Sequence, residues 1–588
     1  MPRPDRVLPV LAALVLAVAA CGPAPSPSAS GSPSANGTPG FSPATVPSKA
    51  PFKAGAWPQS GSACAMSGYA GLLGRIETPD ARTIRFTLCH PDGAFPARLA
   101  DPSLAILATS TIARLAADPA SARSIVGSGP YRIERWEPGS DVILSAPANT
   151  ATTGAATPGA TSAGAATPGA SPIPTIVLRW NADPGQRLAE LQAVSVDAID
   201  APGAAEIAAV DTMPELALLP RAGLEVAYLA FGADEAFGDI RVRRAIASGF
   251  DRQAVVDAAF PPGSTVADYP VPCALPGACG GASWYRTNGP AAAADLAAVK
   301  FDTTTAIPIH VPDAPIPGLP DPAAAAAAVA TQLTAGMGIA ATVDVMPAAA
   351  FDAAVSTGTI TGLYLTGAGA GAADAVSFLD TLFGDPVTAL PATRVTGVRD
   401  VLDGAAADTD PDARATAART ASDAIRDGAP LVPIAIVGSY VATRADVAKL
   451  ATSPLGVDLL GAATPGDRHQ LVFMGTTEPA GAWCGDARSI DALRLCGLVS
   501  TGLYGFAAGT MTATSQLAKC TADADATTWT CKLRSGAAFA DGTPLDAADV
   551  LATFVAQWDP SSPLRHARPD GVFAAWDALF GQALPAGG

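Results

Sequence analysis

The sequence contains few histidines, few charged residues and few aromatic residues for its length. Of its 588 residues, 4 are histidines, 15% are charged and 6% are aromatic. The shortage of histidine disfavours a histidine-rich metal site and a hydrolase that depends on histidine. Lys and Arg number 36 against 53 Asp and Glu, which gives a net charge of −17. This balance disfavours nucleic-acid binding, because the neutralisation of phosphates requires a basic surface.

Long apolar runs are also missing, apart from one near the N-terminus. Residues 1–21 contain two arginines and an apolar run that ends in Val18-Ala-Ala-Cys21, the pattern of a bacterial lipoprotein signal peptide. We therefore predict that Cys21 is lipidated and anchors the protein on the extracellular face of the cell membrane. An ordinary signal peptide with an incidental cysteine is the alternative. Residues 22–58 are rich in Pro, Ser, Gly and Ala, and we predict a disordered tether there.

Cysteine is modest in number, so a hydrophobic core rather than a disulfide framework must stabilise the fold. Export implies an oxidising compartment, in which the eight cysteines other than Cys21 are candidates for disulfides. Their spacing favours four local pairs, although eight cysteines can pair in many ways. The pairs are Cys64–Cys89, Cys273–Cys279, Cys484–Cys496 and Cys520–Cys531. The sequence has no Cys-x-x-Cys cluster, and we predict neither a metal nor another cofactor.

Strand and helix patterns alternate along most of the chain, which predicts an α/β architecture with mostly parallel sheets. A low-complexity segment at 147–172 is predicted to be a disordered loop at the tip of a hairpin. The predicted strands lie at 175–180, 196–199, 225–231, 306–311, 339–345, 359–366 and 430–437. The predicted helices lie at 185–194, 239–260, 321–336 and 411–427.

Three sequence blocks together resemble family 5 extracellular solute-binding proteins, the dipeptide, oligopeptide and nickel-type components of ABC importers. The blocks are Gly127-Ser-Gly-Pro-Tyr131 with Trp136 and Glu137-Pro-Gly139; Tyr228-Leu-Ala-Phe231 with 237–246 and Asp251-Arg252; and Trp529-Thr-Cys-Lys-Leu-Arg534 with 539–544 and Asp549-Val550. This resemblance implies a two-lobed periplasmic-binding-protein-like fold of type II, in the large peptide-binding subclass.

The order of the blocks differs from that of the family. The block at 539–544 resembles one that precedes the GTGPY block in the family, yet here it follows 430–460, which resembles the family's C-terminal end. We therefore predict a circular permutation within lobe I; the alternative is a tandem whose C-terminal part completes a neighbouring molecule. The predicted division is lobe I at 59–285, lobe II at 286–428, and the remainder of lobe I at 429–588. That remainder includes 470–588, which resembles the family's N-terminal part.

The resemblance implies ligand contacts in the segments that contain Trp483, Tyr504 and Asp374. The aromatic pair Trp284-Tyr285, which follows the Cys273–Cys279 loop, is a further candidate. Each has a structural alternative, such as a helix N-cap for Asp374 or packing over a disulfide for Trp483. Peptide binders of the family hold the ligand's amine with an aspartate and a nearby tryptophan. Ala368 and Gly371 stand at those positions here, which argues against recognition of a free α-amine.

The predicted function is that of a monomeric, lipid-anchored binding protein, not an enzyme. It would deliver a peptide or similar small polar solute to the permease of an ABC importer. A ligand-sensing receptor of the same fold is an alternative, because fold alone does not separate transport from sensing. A secreted hydrolase is less favoured, because the sequence contains no GxSxG, HExxH or phosphate-loop motif.

Overall fold

The computed structural model describes residues 49–147, 173–383, 395, 397–566 and 572–585. The predicted signal peptide with Cys21, most of the predicted tether and nearly all of the loop at 147–172 lie outside these ranges. The described residues belong to one compact unit, and the fold given below is that of this unit. Within the described ranges, no helix has both the length and the apolar character needed to cross a membrane.

A five-stranded antiparallel sheet combines strands from both ends of the chain. Thr83–Leu88 pairs with Thr528–Leu533, which places Phe86 opposite Trp529. Helix Ala547–Trp558 packs against this sheet through apolar residues such as Phe554. The strand order is Gly55–Trp57, Leu73–Asp80, Thr83–Leu88, Thr528–Leu533 and Ala518–Ala522.

A seven-stranded sheet shares a hydrophobic core with the five-stranded sheet, and the two together form lobe I. Its centre is Gln470–Gly475, which runs parallel to both of its neighbours. The strand order is Arg132–Glu137, Asp141–Ser145, Thr175–Trp180, Gln470–Gly475, Ala198–Asp200, Ser439–Arg444 and Leu216–Arg221. The lobe I helices include Thr109–Ala117, Pro184–Gln192, Ala204–Val210, Ile490–Val499, Ala547–Trp558 and Ala574–Phe580.

Lobe II is built on a six-stranded sheet with its own core. The strand order is Thr265–Val266, Leu431–Ile436, Glu225–Phe231, Leu363–Gly369, Ile307–Pro312 and Ala341–Met346. Its helices include Ile240–Gly249, Arg252–Ala259, Gly289–Ala298, Pro322–Met337, Ala348–Ser356, Ala375–Phe383, Val398–Ala405 and Pro411–Gly428. In helix Pro322–Met337, capping residues explain where the helix begins and ends. The Asp321 side chain accepts the N–H of Ala324 at its start, and Gly338 ends it with a left-handed φ of 71°.

Three sequence predictions need correction. Glu225–Phe231 and Leu431–Ile436 are hydrogen-bonded to each other in the lobe II sheet, so the boundaries of lobe II lie near 222–224 and 437–438, not at 285/286 and 428/429. An apolar strand pattern does not reveal which sheet the strand joins. The sheets are also not mostly parallel. The five-stranded sheet is antiparallel and the other two are mixed, because short hairpins such as the one joining Arg132–Glu137 to Asp141–Ser145 force antiparallel pairing.

The single helix predicted at 239–260 is also wrong, since the chain forms two helices there. Asp251 has an extended backbone (φ −81°, ψ 102°), and its side chain accepts the N–H groups of Gln253 and Ala254. It therefore caps the second helix and cannot continue the first.

The segment 470–588 packs onto 60–146 within the same chain, as the permutation hypothesis requires. Besides the sheet pairing, the Leu72 N–H donates to the carbonyl of Phe580 at 2.8 Å, and Gln582 Nε2 donates to the carbonyl of Gly68 at 3.0 Å. The permuted order relative to the family stays a prediction. The four predicted disulfides are all formed.

Candidate ligand-binding site

Two short crossings connect the lobes. Residues 222–224 join the end of Leu216–Arg221 to Glu225–Phe231, and residues 437–438 join Leu431–Ile436 to Ser439–Arg444. The crossings lie side by side, because the N–H of Val437 donates to the carbonyl of Glu225 at 3.0 Å. A Cβ on Gly223 would overlap the carbonyl of Val437, so the close approach requires glycine at this position. Paired crossings of this kind suit a hinge between two lobes.

The two lobes touch in this structure. The N–H of Gly93 in lobe I donates to the carbonyl of Ala406 in lobe II at 2.7 Å. Met511, on a lobe I turn, is 2% exposed and packs in the core of lobe II. A Cβ on Gly371 of lobe II would lie 2.6 Å from the carbonyl oxygen of Ala578 in lobe I. The two lobes are therefore in direct contact through backbone and side-chain groups.

A cavity of about 370 Å³ lies in lobe I beside this contact. Phe506 and Leu455 line it and also pack against the core of lobe II. Its polar side chains are uncharged, and none of its described lining residues is Asp, Glu, Lys, Arg or His. The lining side chains with polar or aromatic groups are Ser453, Ser500, Thr501, Tyr504, Phe506, Thr510 and Gln516.

Ser500 is a lining residue of the cavity, and its hydroxyl is buried. The residue is 4% exposed, and its Oγ forms no hydrogen bond within the described part of the chain. Its backbone is fixed at the end of helix Ile490–Val499, where its N–H donates to the carbonyl of Cys496 at 2.7 Å. The Oγ lies beside Gly127, where an added Cβ would come within 2.5 Å of it, and the isolation of this hydroxyl costs free energy. Sequence reasoning missed Ser500, because a serine after a helix carries no signal of ligand binding.

Tyr504 is the residue among the predicted ligand contacts that lines the cavity. It is 9% exposed, and its hydroxyl accepts the N–H of Cys520 at 2.9 Å. This bond ties the ring to the hairpin that the Cys520–Cys531 disulfide closes. Trp483 lies instead in the lobe I core, with its ring 5.4 Å from that of Phe573 in an edge-on arrangement.

Asp374 faces Arg414 rather than the cavity. Its Oδ1 accepts from Arg414 Nε at 3.0 Å, and its Oδ2 accepts the N–H of Ser377 at 2.8 Å in the first turn of helix Ala375–Phe383. Burial would raise the pKa of Asp374, but Arg414 outweighs burial and holds the pKa below its usual value. The carboxylate thus stays ionised, with its charge compensated inside the protein.

Trp284 and Tyr285 lie in lobe II, near the Cys273–Cys279 disulfide in sequence. Trp284 is 3% exposed and packs in the lobe core. The Tyr285 hydroxyl donates to the carbonyl of Arg426 at 3.0 Å, and the Arg426 guanidinium lies 4.4 Å from the centre of the Tyr285 ring. The structure therefore does not bring these two residues together with Tyr504.

A buried network of charges stands behind the cavity wall. Asp200 and Asp458 share the guanidinium groups of Arg221 and Arg494. Burial would raise the pKa of Asp200, but the two arginines outweigh it and lower the pKa to about 2. Asp458 also accepts the N–H of Ser453, a lining residue, at 3.0 Å. The network therefore holds part of the wall in place.

Comparisons with known proteins agree with this architecture. Among curated proteins, the chain is 28% identical over 208 residues to heme-binding protein A of Haemophilus influenzae, covering 35% of each chain. It is 29% identical over 194 residues to di/tripeptide-binding protein 2 of Pseudomonas aeruginosa, covering 32% of this chain and 33% of that protein. The chain thus spans about a third of the length of these curated relatives. Among solved structures, HbpA2 of Haemophilus parasuis superposes with a TM-score of 0.57 at 24% identity, covering 67% of this chain and 75% of that one.

The family match extends over more than half of the chain. Residues 47–389 and 512–577 match the family described as bacterial extracellular solute-binding proteins, family 5 middle. The matched residues include strands of both lobes and of the five-stranded sheet. The chain therefore belongs to family 5 of the bacterial extracellular solute-binding proteins.

Proposed function

We propose that this protein captures a peptide or similar small polar solute outside the cell and delivers it to an ABC importer. The observation that carries the proposal is the cavity of about 370 Å³, lined by uncharged hydrogen-bonding side chains, beside the contact between two lobes. In such a fold, opening at the crossings admits a ligand and closure buries it. The closed form then presents a surface that a permease can distinguish from the open one.

The ligand class is supported by the names of the relatives. One is called a di/tripeptide-binding protein and another a heme-binding protein. We favour the peptide class because uncharged hydrogen-bonding side chains line the cavity and suit amide groups. The membrane anchor is part of the same proposal, since a lipid on Cys21, joined to the lobes by the Pro/Ser/Gly/Ala-rich segment, would hold the protein near a permease.

A thermal-shift screen of the purified protein tests ligand capture. The panel contains dipeptides to hexapeptides with free and blocked ends, and hemin because of the name of one relative. A ligand present at about 100 times its Kd should stabilise the folded state by about 2.7 kcal/mol and raise the Tm. If no peptide of either kind shifts the Tm, the peptide proposal fails.

The anchor is tested separately by detergent partitioning of the full chain from expressing bacteria. We expect the wild-type protein in the detergent phase, because its acyl chains would insert into detergent micelles. The Cys21→Ser variant has no acylated cysteine and should stay in the aqueous phase. Equal partitioning of the two proteins would disprove lipidation at Cys21.

A further inference from the structure

We infer that the part of the ligand seated in this cavity carries no positive charge. The site would take a neutral solute whose polar atoms belong to amide or hydroxyl groups, such as a peptide with a blocked N-terminus. This inference rests on the proposed function and on the cavity as its ligand site. It distinguishes this chain from a binder that recognises a free α-ammonium group.

The first argument is the chemistry of the wall. The polar side chains that line the cavity are hydroxyls and one amide, and no described lining residue carries a charge. A buried ammonium ion needs a counter-charge, because transfer of an unpaired ion from water into a protein interior is strongly unfavourable. Neutral amide and hydroxyl groups need only the hydrogen bonds that such a wall can provide.

The second argument is that a buried carboxylate behind the wall is already engaged. Asp458 lies between the lining residues Val457 and Leu459 in sequence, and it is 2% exposed. Its oxygens accept from Arg221, from Arg494 and from the N–H of Ser453. An incoming ammonium would have to compete with two guanidinium groups for this carboxylate.

The third argument comes from the lobe II side of the lobe contact. The loop that follows strand Leu363–Gly369 presents Gly371, which has no side chain and packs closely against the carbonyl of Ala578. The next acidic residue along the chain, Asp374, is buried and paired with Arg414. Neither residue offers a free negative charge to a ligand held between the lobes.

Ser500 supplies the positive side of the inference. Its buried Oγ has no partner in the described part of the chain and can either donate or accept a hydrogen bond. It therefore matches a carbonyl, an amide N–H or a hydroxyl of the ligand. Filling this position removes the cost of an unsatisfied buried group, so the ligand gains affinity there.

Two probes that differ in one charge test the inference: an acetylated dipeptide amide, which is neutral, and the same dipeptide amide with a free N-terminus. Calorimetric titration of the wild-type protein should show at least about tenfold tighter binding of the acetylated probe. The Ser500→Ala variant should bind the acetylated probe about 5- to 10-fold more weakly. Ser422→Ala is the matched control, because Ser422 is also buried with an unpartnered Oγ but lies in a lobe II helix, and it should bind like the wild type.

A charge-gain variant supplies the converse test. Gln516→Glu places a carboxylate in the wall and should shift the preference at least about tenfold toward the free-amine probe. If the free-amine probe binds the wild type as tightly as the acetylated one, the inference is wrong while the proposed function stands. If neither probe binds the wild type, the inference fails together with the peptide proposal. If Ser500→Ala and Gln516→Glu both bind like the wild type, the cavity is not the ligand site and the inference is wrong.

Discussion

Arg221 and Asp458 form a buried ion pair at the point where the chain leaves lobe I for lobe II. Arg221 Nη2 lies 2.7 Å from Asp458 Oδ2, and the two side chains are 4% and 0% exposed. Arg221 is the last residue of its strand, directly before the crossing at 222–224. Because Asp458 also accepts the N–H of Ser453, one carboxylate fixes both the start of the crossing and part of the cavity wall.

Removing Arg221 should therefore destabilise the protein strongly. In Arg221→Met, Asp200 and Asp458 lose a common counter-charge inside the protein. Loss of one partner from a buried ion pair costs about 3–5 kcal/mol in the free energy of unfolding. Arg135→Met is the control, because Arg135 is 52% exposed and pairs with Glu137 and Asp141 on the surface, where the expected loss is below about 1 kcal/mol. Urea unfolding measures the loss of unfolding free energy in each variant. Equal losses in Arg221→Met and Arg135→Met would contradict this account of the network.

The same network predicts a dependence of stability on acid pH. The pKa of Asp200 is lowered to about 2 in the folded protein, against about 3.9 for an unperturbed aspartate. Its contribution is therefore present above about pH 4 and is lost as the pH falls toward 2. The stability difference between the wild type and Asp200→Asn should shrink by roughly 1 kcal/mol between pH 6 and pH 3. Urea unfolding of both proteins at each pH measures this, and a constant difference would show that the folded-state pKa of Asp200 is not lowered.

Local features of the fold could be predicted from the sequence, because neighbouring residues determine them. The apolar run at 225–231 forms the strand Glu225–Phe231 with the predicted bounds. Asp321 caps helix Pro322–Met337, as predicted. The four disulfides join cysteines that are near in sequence. The predicted lobe boundaries were wrong because the partner of an apolar strand depends on the whole sheet.

Most of the candidate site could not be predicted, because its groups come from distant parts of the chain. Arg221 and Asp458 are 237 residues apart, and Asp200 and Arg494 are 294 residues apart. Ser500 is of interest because its hydroxyl is buried without a hydrogen-bond partner in the described part of the chain. This property depends on how distant residues pack around it, so the sequence does not show it. Tyr504 was predicted from the resemblance of the segment around it to a family element. It lines the cavity, and its contact with a ligand stays a prediction.

The close contact between Gly371 and the carbonyl of Ala578 is expected to set how near the two lobes can approach each other. In Gly371→Ala, the new Cβ would lie 2.6 Å from the carbonyl oxygen of Ala578, closer than packed atoms allow, so the lobes must separate slightly. Ligand affinity should fall by about 5- to 10-fold in calorimetric titration, because overpacking at this contact costs about 1 kcal/mol or more. Gly238→Ala is the control, because a Cβ there meets no atom within 4 Å. If both variants keep wild-type affinity, the Gly371 contact does not limit closure.

A rearranged chain tests the predicted permutation. Residues 467–585 would come first, followed by a flexible linker of about 20 residues and then residues 49–466. The new break follows Gly466, in an exposed turn, so the strand pairing and the Phe580–Leu72 hydrogen bond stay intact. We expect the four disulfides to form and the Tm to stay within about 5 °C of that of the original order, because permutation is tolerated at exposed turns.

The control places the same kind of break inside Gln470–Gly475, after the buried Phe473. This strand lies between two parallel neighbours at the centre of the seven-stranded sheet, so cutting it there should prevent folding. Circular dichroism and disulfide mapping compare the two chains. If the break after Gly466 prevents folding as the control does, connectivity and not contacts determines this fold, and the permutation hypothesis loses its structural basis.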